Sequence, residues 1–278
     1  MNKLGEKFLS INTEFYERIT TIGRKKVPVN YYTMHNNWGD QLNKYLIEKI
    51  TNKVVVKNNF KCFKHLLAIG SVLSSASEKS IVWGSGFISN DAVLKTGNLD
   101  IRAVRGTYTR EKLLNEFAIN CPDVLGDPAI LLPLYYMPEN IQKKHRIGII
   151  PHYKDKELPA VKKLLESGCV LVDIQLDIEN FIDQLNQCDY IISSSLHGLI
   201  AADTYAVPNK WVSFSDNILG GKFKFLDYYS TTNNNDADVL VINDFYDSLL
   251  PTIINTCKVS EYVRDKNLLL DAFPNEFL

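Results

Sequence analysis

The chain has no CxxC pair and no excess of charge of one sign. No apolar run comes near the roughly 18 residues that a membrane-spanning helix needs. Each absence excludes something. The five cysteines (Cys62, Cys121, Cys169, Cys188 and Cys257) are odd in number and widely spaced, so they read as reduced core residues of a cytosolic protein rather than a disulfide framework. Lys and Arg total 31 against 32 Asp and Glu, so the chain carries no basic field and nucleic acid is not an expected partner. No GxxxxGK[ST] occurs, and no GxGxxG follows a strand with an acidic residue beyond it, which removes the usual signals for NTP hydrolysis and NAD chemistry. The histidines His35, His65, His145, His152 and His197 show no metal-ligand spacing and no DxD-like acidic pair ends a strand, so neither a metal nor a cofactor is expected. The first residues lack a signal-peptide core and Asn2 rules out myristoylation, which points to a cytoplasmic protein. One segment could touch a membrane: Leu4, Phe8, Ile11, Phe15 and Ile19 form a helical stripe flanked by Lys3, Lys7 and Arg18. It also reads as a terminal helix packed on its own domain.

What is present is a repeated alternation of apolar runs and amphipathic stretches, the pattern of parallel α/β sheets. Strands are expected over residues 29–34, 53–56, 66–70, 80–83 and 99–104, with helices over 40–50 and 107–117. The charged, proline-containing segment 135–146 reads as a linker, after which the pattern restarts with strands at 147–150, 170–174, 190–192, 209–214 and 239–242. Helices are expected over 158–166, 178–187 and 197–206. This divides the chain into an N-terminal α/β lobe over 1–140 and a C-terminal α/β lobe over 141–278, two Rossmann-like βα lobes facing a cleft. The segment after Thr252 is expected to be helical and to cross back onto the first lobe, and the polar stretch 230–238 to be a loop.

Ligands of such sheets bind beyond the carboxyl ends of the strands, so the corners that follow each strand carry the chemistry. The most informative is DYIISSSLHGLIAADTYAVP, residues 189–208. A buried strand there turns through Ser193, Ser194 and Ser195 into a helix opened by His197 and Gly198, which places an imidazole and hydroxyls beside free backbone N–H groups, a natural site for phosphate or carboxylate. At the first corner, Asn37, Trp38 and Asp40 could meet sugar hydroxyls, with Gly39 allowing close approach, although Asp40 could equally cap its helix. Gly84 and Ser85 form a turn whose N–H groups could cradle an oxyanion, or could simply be a tight turn. Arg105, at a strand end before Gly106, is placed for a bidentate pair with an anion, and His152 ends the first strand of the second lobe.

Taken together, NNWGD at 36–40, VWGSGF at 82–87, AVRG at 103–106, LGDPAILLP at 125–133 and SSSLHGLIAADTYAVP at 193–208 resemble the polysaccharide pyruvyl transferase family. The resemblance implies a two-lobed, GT-B-like fold. It also implies transfer of a pyruvyl group from phosphoenolpyruvate to two hydroxyls of a sugar, giving a cyclic ketal and phosphate, and it assigns His197 and Arg105 to the donor. Many relatives carry an arginine two residues before the histidine, where this chain has Ser195. His152, Lys210, Lys222 and Lys224 are the candidates to replace that cation. In the expected mechanism His197 protonates the methylene carbon and Asp40 orients or deprotonates a hydroxyl, with phosphoenolpyruvate a co-substrate. A lipid-linked acceptor would put the Leu4–Ile19 stripe and Arg24, Lys25 and Lys26 at the inner membrane face, and acceptor contacts are expected around Trp38 and the 230–238 loop. The alternatives are a metal-independent GT-B glycosyltransferase that uses a nucleotide sugar and a non-catalytic glycan- or anion-binding scaffold.

Overall fold

The computed structural model describes residues 14, 15, 17, 21–33, 37–59, 63–215, 220–245 and 248–278. Leu4, Phe8, Ile11 and Ile19 of the N-terminal stripe, with Lys3, Lys7 and Arg18, lie outside the described residues, as do His35, Asn36 and Cys62. Among the described residues no helix is long and apolar enough to cross a membrane.

The elements run β1 (Lys26–Val29), α1 (Trp38–Thr51), β2 (Val54–Lys57), β3 (His65–Leu67), β4 (Ser80–Trp83), β5 (Asp100–Ala103) and α2 (Thr107–Phe117). They continue as β6 (His145–Ile150), α3 (Pro159–Glu166), β7 (Val170–Leu171), α4 (Ile178–Asn186), β8 (Cys188–Ser193), α5 (Leu196–Thr204), β9 (Asn209–Ser213), α6 (Phe223–Tyr229), β10 (Leu240–Val241), α7 (Leu249–Asn255) and α8 (Lys266–Asp271). Two five-stranded sheets result, ordered β2-β1-β3-β4-β5 and β10-β9-β8-β6-β7, and every strand pair in them is parallel. The fold is therefore α/β with two lobes, consistent with a GT-B-like arrangement. Parallel strands are covered on both faces, which is why β2 and β4 are buried at every position and carry the apolar runs 54–56 and 81–83.

The first strand lies earlier than the apolar pattern 29–34 suggests and contains Pro28. Asn30 N–H donates to Leu66 O at 2.9 Å on the β3 side. Pro28, two positions earlier on that side, lies before β3 begins, so its missing N–H removes no ladder bond. Helix α1 is started by Asn37, whose side chain accepts from Gly39 N–H, and is stopped by Asn52 in the left-handed region at φ 52. Asp40 is thus not the cap.

A single apolar cluster runs from Val27 and Val55 in the first sheet through Trp38, Ile150 and Phe181 to Leu269 and Phe273. The C-terminal segment returns to the first sheet. There Trp83 Nε1 donates to Leu269 O at 2.8 Å. The Trp83 and Phe273 rings meet edge-to-face at 4.9 Å, a favoured aromatic geometry, and Arg102 pairs with Glu276 at 3.0 Å. The polar segment 230–238 is tied down rather than loose. Thr231 and Thr232 are buried, and Asn234 Nδ2 donates to Ser260 Oγ at 3.1 Å.

Both strand orders reverse once. In the first sheet the reversal falls between β1 and β3, and in the second between β6 and β8. Crevices beyond the carboxyl ends of strands at such reversals are where open α/β sheets bind ligands. Here the two crevices face each other.

Candidate active site

A cavity of about 460 Å³ lies where the reversals meet. Tyr32 and Asn37 come to it from the end of β1, Asp40 from α1, Gly70 and Ser71 from the end of β3, His152 to Lys154 from the end of β6, and Ser195 to His197 from the turn after β8. Lys224 of α6 completes it. Of the residues singled out in the sequence, the fold brings Asn37, Asp40, His152, Ser195 and His197 to this one space.

The serine corner has a local logic. Ser193 Oγ accepts from Ser195 N–H and lies 3.0 Å from Ile150 O, stitching the end of β8 to β6. Ser194 is fully buried and its Oγ accepts from His152 N–H at 2.9 Å, so it supports the His152 loop without facing the cavity. Gly198 is fixed by packing. A Cβ there would stand 2.5 Å from Ser193 Oγ and 2.7 Å from Ile150 Cγ2. Only glycine lets α5 sit this close to the sheet.

His197 is seated against the other lobe. A Cβ on Gly39 would lie 2.0 Å from its Nδ1, so the imidazole rests on the bare backbone of α1. Nε2 faces Asp127 Oδ2 at 3.6 Å, beyond hydrogen-bond length, and neither atom has a hydrogen-bond partner among the described residues. Asp127 is fully buried and its Oδ1 accepts from Ala129 N–H at 3.0 Å, so it stands as a fixed carboxylate behind the ring. This residue belongs to the LGDP stretch, but only the folded chain reveals that it backs the histidine.

The charged groups perturb one another. Burial pushes the Asp40 carboxyl up to about 6, while His197, Lys57 and Lys224 pull the other way. Burial brings Lys224 down to about 8, with the Arg105 charge adding to the effect and Asp40 opposing it. Asp40 is poised to accept a proton near neutrality. Among the described residues no three His, Cys, Asp or Glu side chains converge on a possible metal site.

Several residues stand elsewhere than expected. Arg105 is fully buried, and its guanidinium is bonded to protein groups. Nε donates to Asp227 Oδ2 at 2.9 Å, one terminal nitrogen to Ser71 Oγ at 2.7 Å and the other to Phe87 O at 2.6 Å. It therefore sits behind the cavity wall instead of in the cavity, because Asp227, distant in the chain, neutralises it. Asp227 also accepts from Thr109 N–H and Oγ1, so one carboxylate ties α6 to the start of α2. Lys224 lies one turn earlier on α6, and this clamp sets its place.

Trp38 is fully buried, donates to Ile178 O and packs on Phe181 at 4.9 Å, so it joins α1 to α4 and cannot meet an acceptor. Gly84 and Ser85 also lie away from the cavity. Gly84 adopts φ +89 beneath Pro128, and the buried Ser85 Oγ donates to Gly70 O, so the turn serves packing and offers no cradle at the cavity. Among the candidates to replace the cation, Lys224 and His152 line the cavity. Lys222 pairs with Asp238, while Lys210 donates to Asp238 O and borders a separate cleft with the 230–238 segment. Lys154 joins the wall from the His152 corner, and Ser71 and Tyr32 are further wall residues that the sequence did not single out. Their common signal is position just past a strand end.

The polysaccharide pyruvyl transferase family model matches residues 25–216. The chain is 29% identical over 259 residues to protein L143 of Acanthamoeba polyphaga mimivirus, across 90% of this chain and 87% of L143. It is 26% identical over 215 residues to the succinoglycan biosynthesis protein ExoV of Rhizobium meliloti, across 73% of this chain and 64% of ExoV. Among solved structures, a protein from Klebsiella pneumoniae aligns over 88% of this chain and 100% of its own, with 12% identity and a TM-score of 0.44. With well over half of its length matched, the chain belongs to the polysaccharide pyruvyl transferase family.

Proposed function

We propose that the protein transfers a pyruvyl group from phosphoenolpyruvate to two hydroxyls of a polysaccharide sugar, forming a cyclic ketal and releasing phosphate. The observation that carries this reading is the meeting, in one cavity, of His197, Asp40 and Lys224 at the facing sheet reversals of a chain in this family. The succinoglycan context of ExoV supports a polysaccharide as the acceptor class.

The donor brings a phosphate and a carboxylate. Lys224 and Lys154 supply positive charge, His152 adds a polar ring, and the first N–H groups of α5 add donors at the same spot. Protonation of the methylene carbon by His197 turns it into the ketal methyl and leaves an oxocarbenium-like carbon. One sugar hydroxyl adds to that carbon and yields its proton to Asp40. Loss of phosphate regenerates the electrophilic carbon, and the second hydroxyl closes the ring, its proton leaving with the phosphate as hydrogen phosphate. Asp127 holds the ring of His197, and Arg105 acts at one remove by fixing Ser71 and α6.

Phosphate release from phosphoenolpyruvate, measured across a panel of free and lipid-linked glycans, tests the reading. Release should require both substrates, and His197→Ala should lower turnover about 100-fold or more with the unfolding midpoint unchanged. Turnover like that of the unaltered protein in His197→Ala would remove the histidine from the mechanism. Release from a nucleotide sugar in place of phosphoenolpyruvate would replace the reaction.

A further inference from the structure

A second, larger groove of about 720 Å³ adjoins the reaction cavity, and Tyr32 belongs to the walls of both. It runs between α1 and the start of α4, lined by Gln41, Tyr45 and Glu48 on the first and by Asp177 and Glu179 on the second. Its volume falls in the range of about 300–1,000 Å³ usual for small-molecule sites. Asp40 and Gln41 are neighbours on α1, so one helix presents the proposed base to the cavity and a row of polar side chains to the groove.

The two spaces differ in charge. The reaction cavity sets Lys154 and Lys224, beside the imidazoles of His152 and His197, against the one wall carboxylate of Asp40, whereas the groove wall carries the three carboxylates Glu48, Asp177 and Glu179 with Lys44, and Lys49 and Lys57 stand over its Tyr45 and Tyr31 rings. An anion such as phosphoenolpyruvate is favoured in the first, where lysines outnumber carboxylates. A neutral polyhydroxyl ligand suits the second, because carboxylates accept from hydroxyls and tyrosine faces stack on sugar C–H surfaces.

The groove's acceptors are also held in place. Tyr45 OH donates to Glu179 Oε1 at 2.6 Å across the two helices. Glu48 Oε1 accepts from Val55 N–H at 3.0 Å, and Asp177 caps α4 through Asn180 N–H at 3.1 Å. A carboxylate offers about four acceptor positions, so each keeps capacity for a ligand after these bonds. Such fixed groups bind without first having to be ordered.

Resting on the pyruvyl-transfer reading, we propose that this groove is the acceptor-glycan subsite. It holds a neutral sugar ring over Tyr32, with hydroxyls directed to Gln41, Asp177 and Glu179, and passes the hydroxyl pair to Asp40. This moves the acceptor away from Trp38 and the 230–238 segment, where the sequence had suggested it.

Saturation-transfer NMR with the methyl glycosides of glucose, galactose and mannose, paired with calorimetry of phosphoenolpyruvate, tests the assignment on the full chain. Tyr32→Ala removes the platform, and Gln41→Trp fills the groove from a half-buried helix position. Each should weaken glycoside binding by about tenfold or more, and Gln41→Trp should leave phosphoenolpyruvate affinity within about twofold. Lys224→Ala should do the reverse. Glycoside signals unchanged in both groove variants, or absent from the unaltered protein for all three sugars, overturn the proposal. Failure of phosphoenolpyruvate to bind the unaltered protein removes the pyruvyl reading itself, and with it the groove's role as an acceptor subsite, even where glycosides bind.

Discussion

Replacing Asp227 with alanine strips a fully buried guanidinium of its carboxylate. Arg105 would keep only the neutral acceptors Ser71 Oγ and Phe87 O, and Thr109 N–H, now bonded at 2.8 Å, would lose its acceptor. Breaking a buried pair from one side costs about 3–5 kcal/mol, since the remaining charge can neither rehydrate nor find a substitute. For chains of this size each kcal/mol lowers the melting temperature by about 2–4 °C, so Asp227→Ala should melt roughly 10 °C lower. Urea unfolding followed by far-UV circular dichroism gives the free energy directly, and the slope should stay constant while the midpoint falls. Arg105→Lys should also lose stability, because a compact ammonium cannot span the three acceptors that separate nitrogens of the planar guanidinium reach. A loss below about 1 kcal/mol in Asp227→Ala, the size of an exposed pair, would refute the clamp. An Arg105→Lys variant with an unchanged midpoint and a higher donor KM would return Arg105 to the donor site.

Four further outcomes follow from the cavity. The Asp40 carboxyl titrates near 6, so activity should fall as pH drops through that value, and Asp40→Asn should remove this acid limb from the kcat/KM profile. Stability moves oppositely, since a carboxyl raised by burial binds its proton more tightly when folded: the contribution from Asp40 improves as pH falls from about 6 toward the unfolded value of about 4. Lys224 loses its charge as pH rises through about 8, so phosphoenolpyruvate affinity measured by calorimetry should decline above that pH, and Lys224→Ala should weaken it about tenfold or more and abolish the decline. Gly39→Ala puts a methyl 2.0 Å from His197 Nδ1. Turnover should then drop about 100-fold with helix content retained, and unaltered turnover would mean that the imidazole is not held there.

The parts of this molecule legible in the sequence are those governed by local pattern. The β8–α5 corner is announced by its apolar run, its serines and its histidine, and the parallel sheets by strands without polar alternation. What remained hidden depends on distant partners. Arg105 looks the same in sequence whether it meets a ligand or Asp227, and nothing near Lys224 distinguishes it from Lys222 or Lys210 until α6 is docked. Trp38 resembles an exposed aromatic at a helix start, and only the approach of α4 buries it. Gly84 reads as a cradle because a turn beneath Pro128 needs the same residue.

The contact between Gly39 and His197 has a consequence for how such genes can be read. The words NWGD and SLHG, one in each lobe and far apart in the chain, are two halves of one van der Waals surface. A side chain at position 39 would displace the ring of His197, so the two words are joined by direct contact. A larger residue at position 39 would occupy the place of the His197 ring, so the seat of the imidazole is set as much by the first lobe as by the second.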